Sequence, residues 1–160
     1  MTGAPQPQPR WLDPAELRSW RAYVIGSEVL RQRLSRELQD NHRLALADYE
    51  VMVHLSEGTN RQLRMSQLAE RVASSKSRLS HQVARMERAG LVRRISCPDD
   101  ARGVVAQLTD AGLLALADAA PTHVRGVREH MIDLLTPDEQ QILLTAFERI
   151  LDHLADTRRR

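Results

Sequence analysis

Lys76-Ser77-Arg78-Leu79-Ser80-His81-Gln82-Val83-Ala84-Arg85-Met86-Glu87-Arg88 is the stretch that decides the fold. Leu79, Val83 and Met86 fall at i, i+4 and i+7, the apolar stripe of an amphipathic helix. At about 100° per residue the opposite face carries Ser77, His81 and Arg88, flanked by Arg78, Ser80 and Arg85, with no acidic side chain among them. Such a helix packs on one side and offers hydrogen-bond donors on the other.

Working outward, Gly90 ends the helix, Leu91 to Ile95 reads as a strand, Cys97 to Gly103 as a turn and Val104 to Leu108 as the returning strand. A donor-faced helix followed by a hairpin with Arg102 near its tip has the layout of a winged helix. The expected fold class is therefore mainly α (α+β winged helix). Upstream, Gln67 to Val72 reads as a short helix capped by Ser66, and Ala73-Ser74-Ser75 as the turn into Lys76.

The flanks are helical. Asp13-Pro14-Ala15-Glu16 combines an N-cap, a Pro at the first helical position and a Glu able to reach back. The helix it opens is expected to run to about Leu38, with Leu17, Trp20, Val24, Leu30, Leu34 and Leu38 on its apolar side. A second helix is expected from Ala47 to Glu57, stopped by Gly58, with a turn-rich stretch from Thr59 to Met65. Beyond the hairpin, Thr109 caps a long helix whose seam is Leu113, Ala117, Ala120, Val124, Val127, Met131 and Leu134. Pro121 inside it is expected to kink it or remove one hydrogen bond. Thr136-Pro137-Asp138-Glu139 starts a last helix, to about Leu154. Three long amphipathic helices carry more apolar edge than so small a domain covers alone, which predicts a helical dimer interface.

Charge distribution agrees with a polyanion partner. The net charge is only +2, yet Arg61 to Arg102 holds ten Lys or Arg against four acidic residues, while the remainder is acidic on balance. The bland alternative is a set of solvated faces that happen to cluster. A single cysteine excludes an intrachain disulfide framework and fits a reducing, cytoplasmic setting. No apolar run approaches the ~18 residues of a membrane span, and Met1 to Arg10 lacks the apolar core of a signal peptide.

Taken together, Met65 to Val72, Ser75 to Arg94, Asp100-Ala101-Arg102-Gly103 and Leu108-Thr109-Asp110-Ala111-Gly112 resemble the MarR family of bacterial winged-helix regulators. The wing signature is the specific part: Asp-x-Arg, followed six residues after the Arg by Leu-Thr-x-x-Gly. Ala101 departs from the second wing Arg that many members carry, which leaves minor-groove contact mainly to Arg102. The resemblance implies a homodimer whose N- and C-terminal helices interlock, with two winged helices on a pseudo-palindromic operator. The implied organisation is a disordered tail at 1–12, dimerisation helices at 13–40 and 110–156, a winged helix-turn-helix domain at 46–109 and a basic tail at 157–160.

By position, Ser77, Arg78 and His81 are candidates for base edges in the major groove, with Lys76, Ser80, Arg85 and Arg88 nearer phosphates and Ser75 also among the DNA-binding candidates. Arg102 is the candidate for the minor groove, with Asp100 orienting it. Members of the family often respond to a small aromatic or anionic ligand between the dimer helices and the winged helix. Here Trp20, Tyr23, His42, Tyr49, Met52 and Arg93 are the candidates, each also readable as core or surface. Cys97, near Arg93 and Arg94, is a possible redox site, because cations favour the thiolate. No metal site and no cofactor are expected: no two of the six histidines are spaced i, i+4.

The expected function is thus a sequence-specific DNA-binding regulator, a repressor acting as a homodimer and released by a small molecule. An enzyme is not expected, since no Gly-rich phosphate loop, carboxylate pair or nucleophile–base arrangement is evident. The alternative is a protein-interaction or architectural, non-specific DNA-binding module with the same fold.

Overall fold

The structure, a computed structural model, describes residues 9–97 and 100–157, with side chains for all of these except residues 97, 100–102, 156 and 157. Six helices and a three-stranded sheet follow in the order α1 (Pro14–His42), α2 (Leu46–Ser56), β1 (Gln62–Arg64), α3 (Met65–Arg71), α4 (Lys76–Arg88), β2 (Val92–Cys97), β3 (Asp100–Leu108), α5 (Asp110–His130) and α6 (Pro137–Thr157). Short 3-10 turns at Thr59–Arg61 and Ile132–Leu134 join the elements around them.

The start signals act as read. Asp13 accepts from the amides of Ala15 and Glu16 while Glu16 accepts from the Asp13 amide, a closed capping box. Thr136 and Glu139 form the equivalent contacts at α6. Thr109 caps α5 by accepting from the Gly112 amide. At α3 the expectation fails: the cap residue is Arg64, whose amide donates to Gln67 Oε1, and Ser66 sits inside the first turn. The helix starts earlier because β1 hands the chain over directly at Met65.

The sheet is antiparallel, in the order β1-β3-β2. Leu63, Ala106 and Arg94 share one row across it, as do Gln62, Gln107 and Arg93. The hairpin strands are longer than predicted, reaching Cys97 and beginning at Asp100, with a register shift between Ser96 and Cys97. Cys97 and Asp100 to Gly103 read as turn, but they belong to the strands.

One core unites the winged helix with the ends of α1 and α5. Leu38, Val51, Met52, Leu55, Leu68, Leu79, Val83, Met86 and Val92 are fully enclosed in it. The apolar stripe of α4 is therefore an inner wall, and its polar face is left outside.

Two corrections concern the long helices. On α1 only Leu34 and Leu38 are buried, and the helix continues past Leu38 to His42. On α5 the packing face is Gly112, Leu116, Ala119 and Gly126, whereas Leu113, Ala117 and Val124 of the predicted seam point outward. At Gly126 a small residue permits close approach to α1: a Cβ there would lie 2.8 Å from Leu34 Cδ2. The helix also stops at His130, because Met131 leaves helical geometry at φ −145°, so Leu134 belongs to the following 3-10 turn. Pro121 is accommodated within one continuous helix. The hydrogen bond it cannot make frees the carbonyl of Ala117, an exposed position where water can accept the role.

Histidines tie α5 to its neighbours. His42 of α1 contacts Asp118 Oδ2 and Thr122 Oγ1, both at 2.8 Å. Glu37 of α1 contacts His130 at 2.7 Å and also accepts from Arg33. Burial alone would raise the Glu37 carboxyl, but those bonds outweigh it and hold it below its usual value. His123 lies 4.5 Å from the Tyr49 ring, with its Nδ1 buried and unpartnered among the described residues. Burial pushes the His123 imidazole below its ordinary value, against an opposing pull from Glu50.

Candidate nucleic-acid interface

The geometry of the interface starts at Ser75, which accepts from the Arg78 amide at 3.2 Å and fixes where α4 begins. From that start, burial of Leu79, Val83 and Met86 sets the rotation of the helix. Lys76, Ser77, Arg78, Ser80, His81, Arg85 and Arg88 are consequently all exposed on the outer side. The side chains of Ser77, Arg78 and His81 make no bond to any other described residue. They are donors held in place by a rigid backbone and left without an intrachain task.

Arg85 is different. Its guanidinium pairs with Asp48 of α2, and Gln82 Nε2 donates to the same oxygen at 3.0 Å. Asp48 is the one buried charged residue among the described residues, and it ties α4 to α2. Arg85 was predicted near phosphates; it stands exposed on that side while also holding this structural partner. Arg88 stays outside, its Nε 3.4 Å from the Ala84 carbonyl oxygen of its own helix.

The far end of α4 is locked to the wing and to α5. Gly90 adopts φ +75°, a conformation that favours glycine. The Thr109 hydroxyl donates to the Gly90 carbonyl at 2.6 Å and lies 3.0 Å from the Leu91 oxygen, which also accepts the Thr109 amide at 3.1 Å. A Cβ on Gly112 would meet that Leu91 oxygen at 2.1 Å. The Leu-Thr-x-x-Gly signature is thus a joint: the Thr binds the turn after α4, and the Gly lets α5 start against it.

Between α4 and the hairpin lies a cleft of about 370 Å³, lined by Arg64, Ser66, Lys76, Ser80, Arg94 and Val104 among others. Arg94 is oriented there by Glu87, which accepts its amide and its Nε at 2.9 Å and its Nη2 at 2.8 Å. Those backbone and side-chain bonds hold the Glu87 carboxyl below its usual value. Reading the sequence missed Arg64, Ser66 and Arg94 as members of this surface, because only the fold brings β1, α3 and β2 to one cleft.

The side chains of Asp100, Arg102 and Cys97 lie outside the described residues, as does any side-chain role predicted for them. The six candidate ligand residues occupy four settings. Trp20 and Tyr23 are half-exposed, and the Tyr23 ring lies 5.4 Å from Phe147 of α6. His42 and Tyr49 make the α5 contacts given above. Met52 is wholly enclosed in the core and presents no surface, contrary to its place among the candidates. Arg93 projects from the sheet, donating to Gln107 Oε1 at 2.7 Å beside Asn60 and Arg61. His123, unremarked in the sequence, is the residue that gives the α2–α5 junction a buried polar atom to satisfy.

This fold and this surface define a winged-helix DNA-binding regulator, and comparison with known proteins agrees. A MarR-family profile matches residues 44–103. The chain is 44% identical to AbsC, a MarR family transcriptional regulator from Streptomyces coelicolor, covering 92% of this chain and 99% of that one at a TM-score of 0.88. It is 40% identical to Sco3205, a MarR family transcriptional regulator of the same organism solved in complex with DNA, over 90% and 94% of the two chains at a TM-score of 0.87. The transcriptional regulator PecS of Dickeya dadantii is 27% identical over 84% of each chain. The protein belongs to the MarR family of transcriptional regulators. Among the described residues no helix is long and apolar enough to cross a membrane.

Proposed function

We propose that the protein is a cytoplasmic repressor that binds a pseudo-palindromic operator as a homodimer and leaves it when a small molecule binds. The observation that carries this reading is the outer face of α4, where Ser77, Arg78 and His81 stand exposed and unbonded on a helix fixed at both ends. These side chains suit base edges in the major groove, while Lys76, Ser80 and Arg88 suit the flanking phosphates, with Ser75 beside them at the helix start. Arg102, oriented by Asp100, is assigned to the adjacent minor groove. Sco3205 was solved with DNA, which supports extending the same partner to this chain.

The dimer rests on apolar surface that the protomer leaves open. Ile25 and Val29 on α1, Leu114 and Val124 on α5, and Ile142 and Leu151 on α6 are all exposed. No described residue of α6 is buried. Regions 13–40 and 110–156 are therefore assigned to dimerisation and 46–109 to DNA reading. The ligand step rests on the α2–α5 junction, where His123 Nδ1 lacks a partner beside Tyr49.

Binding to the DNA upstream of the protein's own gene, against scrambled DNA of equal length across a salt series, tests the reading. A specific dimer prefers its site by ~10³-fold or more and weakens steeply with salt. Equal, salt-sensitive binding to both would mark an architectural protein, and absence of binding at low salt an interaction module.

A further inference from the structure

A helix in the major groove and a hairpin in the neighbouring minor groove have one sugar–phosphate strand between them. Whatever lines the gap between helix and hairpin must therefore receive phosphates. In this chain that gap is the cleft of about 370 Å³ between α4, the start of α3 and the sheet. Its volume is roughly twelve times the ~30 Å³ share of a liquid water, room for a phosphate with its flanking sugar.

The lining fits such an occupant. Three cations arrive from three different elements: Arg64 from the end of β1, Lys76 from the first turn of α4 and Arg94 from β2. Ser66 and Ser80 add hydroxyls, and among the described lining residues there is no carboxylate. An anion entering the cleft is attracted by all three cations. Arg94 is also held in position: the Glu87 carboxylate takes its Nε and Nη2, fixing the guanidinium plane at the cleft. A guanidinium stays charged at any working pH and matches phosphate geometry better than an ammonium.

We infer that this cleft is a seat for one backbone phosphate of the strand crossing between α4 and the wing, and that Arg94 is a phosphate-binding residue positioned by Glu87. The inference rests on the DNA-binding reading above and adds to it a contact outside α4 and the wing tip. It makes Arg94 a residue of affinity and register. Sequence preference stays with Ser77, Arg78 and His81, because every sequence presents the same phosphate.

The test uses the full-length protein and a random-sequence duplex of about 25 base pairs in a salt titration, alongside the upstream DNA. Wild type binding neither duplex at low salt would remove the DNA reading and this inference together. With wild-type binding in hand, Arg94→Gln is expected to weaken both duplexes by the same factor, roughly three- to tenfold at moderate salt, and to lower the salt slope by about one. The preference for one DNA over the other should not change. Glu87→Gln breaks the same ion pair but leaves the cation, so it separates the two roles Arg94 could have. If Arg94 binds phosphate, Glu87→Gln keeps or strengthens binding and keeps the slope, and Arg94→Lys restores part of both. Three results would overturn the inference: an unchanged salt slope in Arg94→Gln, an altered sequence preference, or equal losses in Arg94→Gln and Glu87→Gln.

Discussion

Replacing Gly112 by Ala adds one methyl group at the joint between α4, the wing and α5. The new Cβ would lie 2.1 Å from the Leu91 carbonyl oxygen and 2.7 Å from Leu108 Cδ1, where real Cβ contacts essentially never fall below 3.0 Å. The Leu108 methyl can turn aside, but Leu91 offers backbone, which must retreat by about 0.9 Å. That same oxygen accepts the Thr109 amide at 3.1 Å, so the retreat stretches a hydrogen bond of the joint. Overpacking of this kind costs about 1–3 kcal/mol, and a weakened bond adds about 0.5–1.5 kcal/mol. Alanine's better helix propensity offsets less than about 1 kcal/mol, since Gly112 sits in the first turn. The net expectation is a loss of about 2–3 kcal/mol. With a urea m-value of roughly 2 kcal/mol/M, the unfolding midpoint drops by about 1–1.5 M at fixed protein concentration. Gly26 is the counter-test: beyond its own helix backbone no described residue lies within 4 Å of an added Cβ in mid-helix α1, so Gly26→Ala stabilises by about 0.5–1 kcal/mol. A Gly112→Ala midpoint within about 0.2 M of wild type would refute the joint as described.

The two arginines at the end of α4 are expected to part company. Arg85→Ala leaves the buried Asp48 carboxylate with only Gln82 and costs about 1–3 kcal/mol in urea unfolding with little change in the salt slope for random DNA. Arg88→Ala lowers that slope by about one and leaves the unfolding midpoint in place. Ser75→Ala removes the acceptor for the Arg78 amide, lowering stability by about 1 kcal/mol and weakening DNA binding because α4 then frays at its reading end. Acid acts through His123, whose folded-state pKa is depressed by burial from its ordinary 6.5. The unfolded chain therefore takes up a proton that the folded chain refuses, and stability falls as pH drops below about 6.5, down to the folded value. Unfolding midpoints at pH 7.5 and 5.5 should fall further apart in wild type than in His123→Phe, and equal differences would dismiss the argument. The Glu37 carboxyl, held low by His130 and Arg33, contributes stability above its ordinary 4.5 that is lost only as pH falls through the folded value.

Local signals were legible because local chemistry settles them. The bounds of α4 follow from Ser75, three apolar positions and the Gly90 stop, and the capping boxes at Asp13 and Thr136 close as their spacing requires. Choices made by distant partners were not legible. Asp48 and Arg85 are 37 residues apart, so nothing near Arg85 marks it as taken. The face of α5 that packs within the protomer was missed, because large apolar residues mark a sticky face whereas Gly126 meets α1 by being thin. The end of α5 carries no Gly or Pro, and Met131 departs from helical geometry without a sequence cue. The polar face of α4 could be drawn from periodicity, but the cleft beside it required the sheet to bring Arg64 and Arg94 to the same place.

Helix α6 runs for 21 residues with no described side chain buried by its own chain. Most of a helix's stability in a protein comes from packing of its apolar face. In the proposed dimer its order comes from a second copy, which makes dilution a denaturant for this one element. Folding and assembly are then a single equilibrium, set by protomer concentration as much as by sequence. For the proposed dimer, operator occupancy at low abundance would rise with the square of the protomer concentration, so a modest change in synthesis would become a sharper change in occupancy. A regulator built in that way would gauge its own supply.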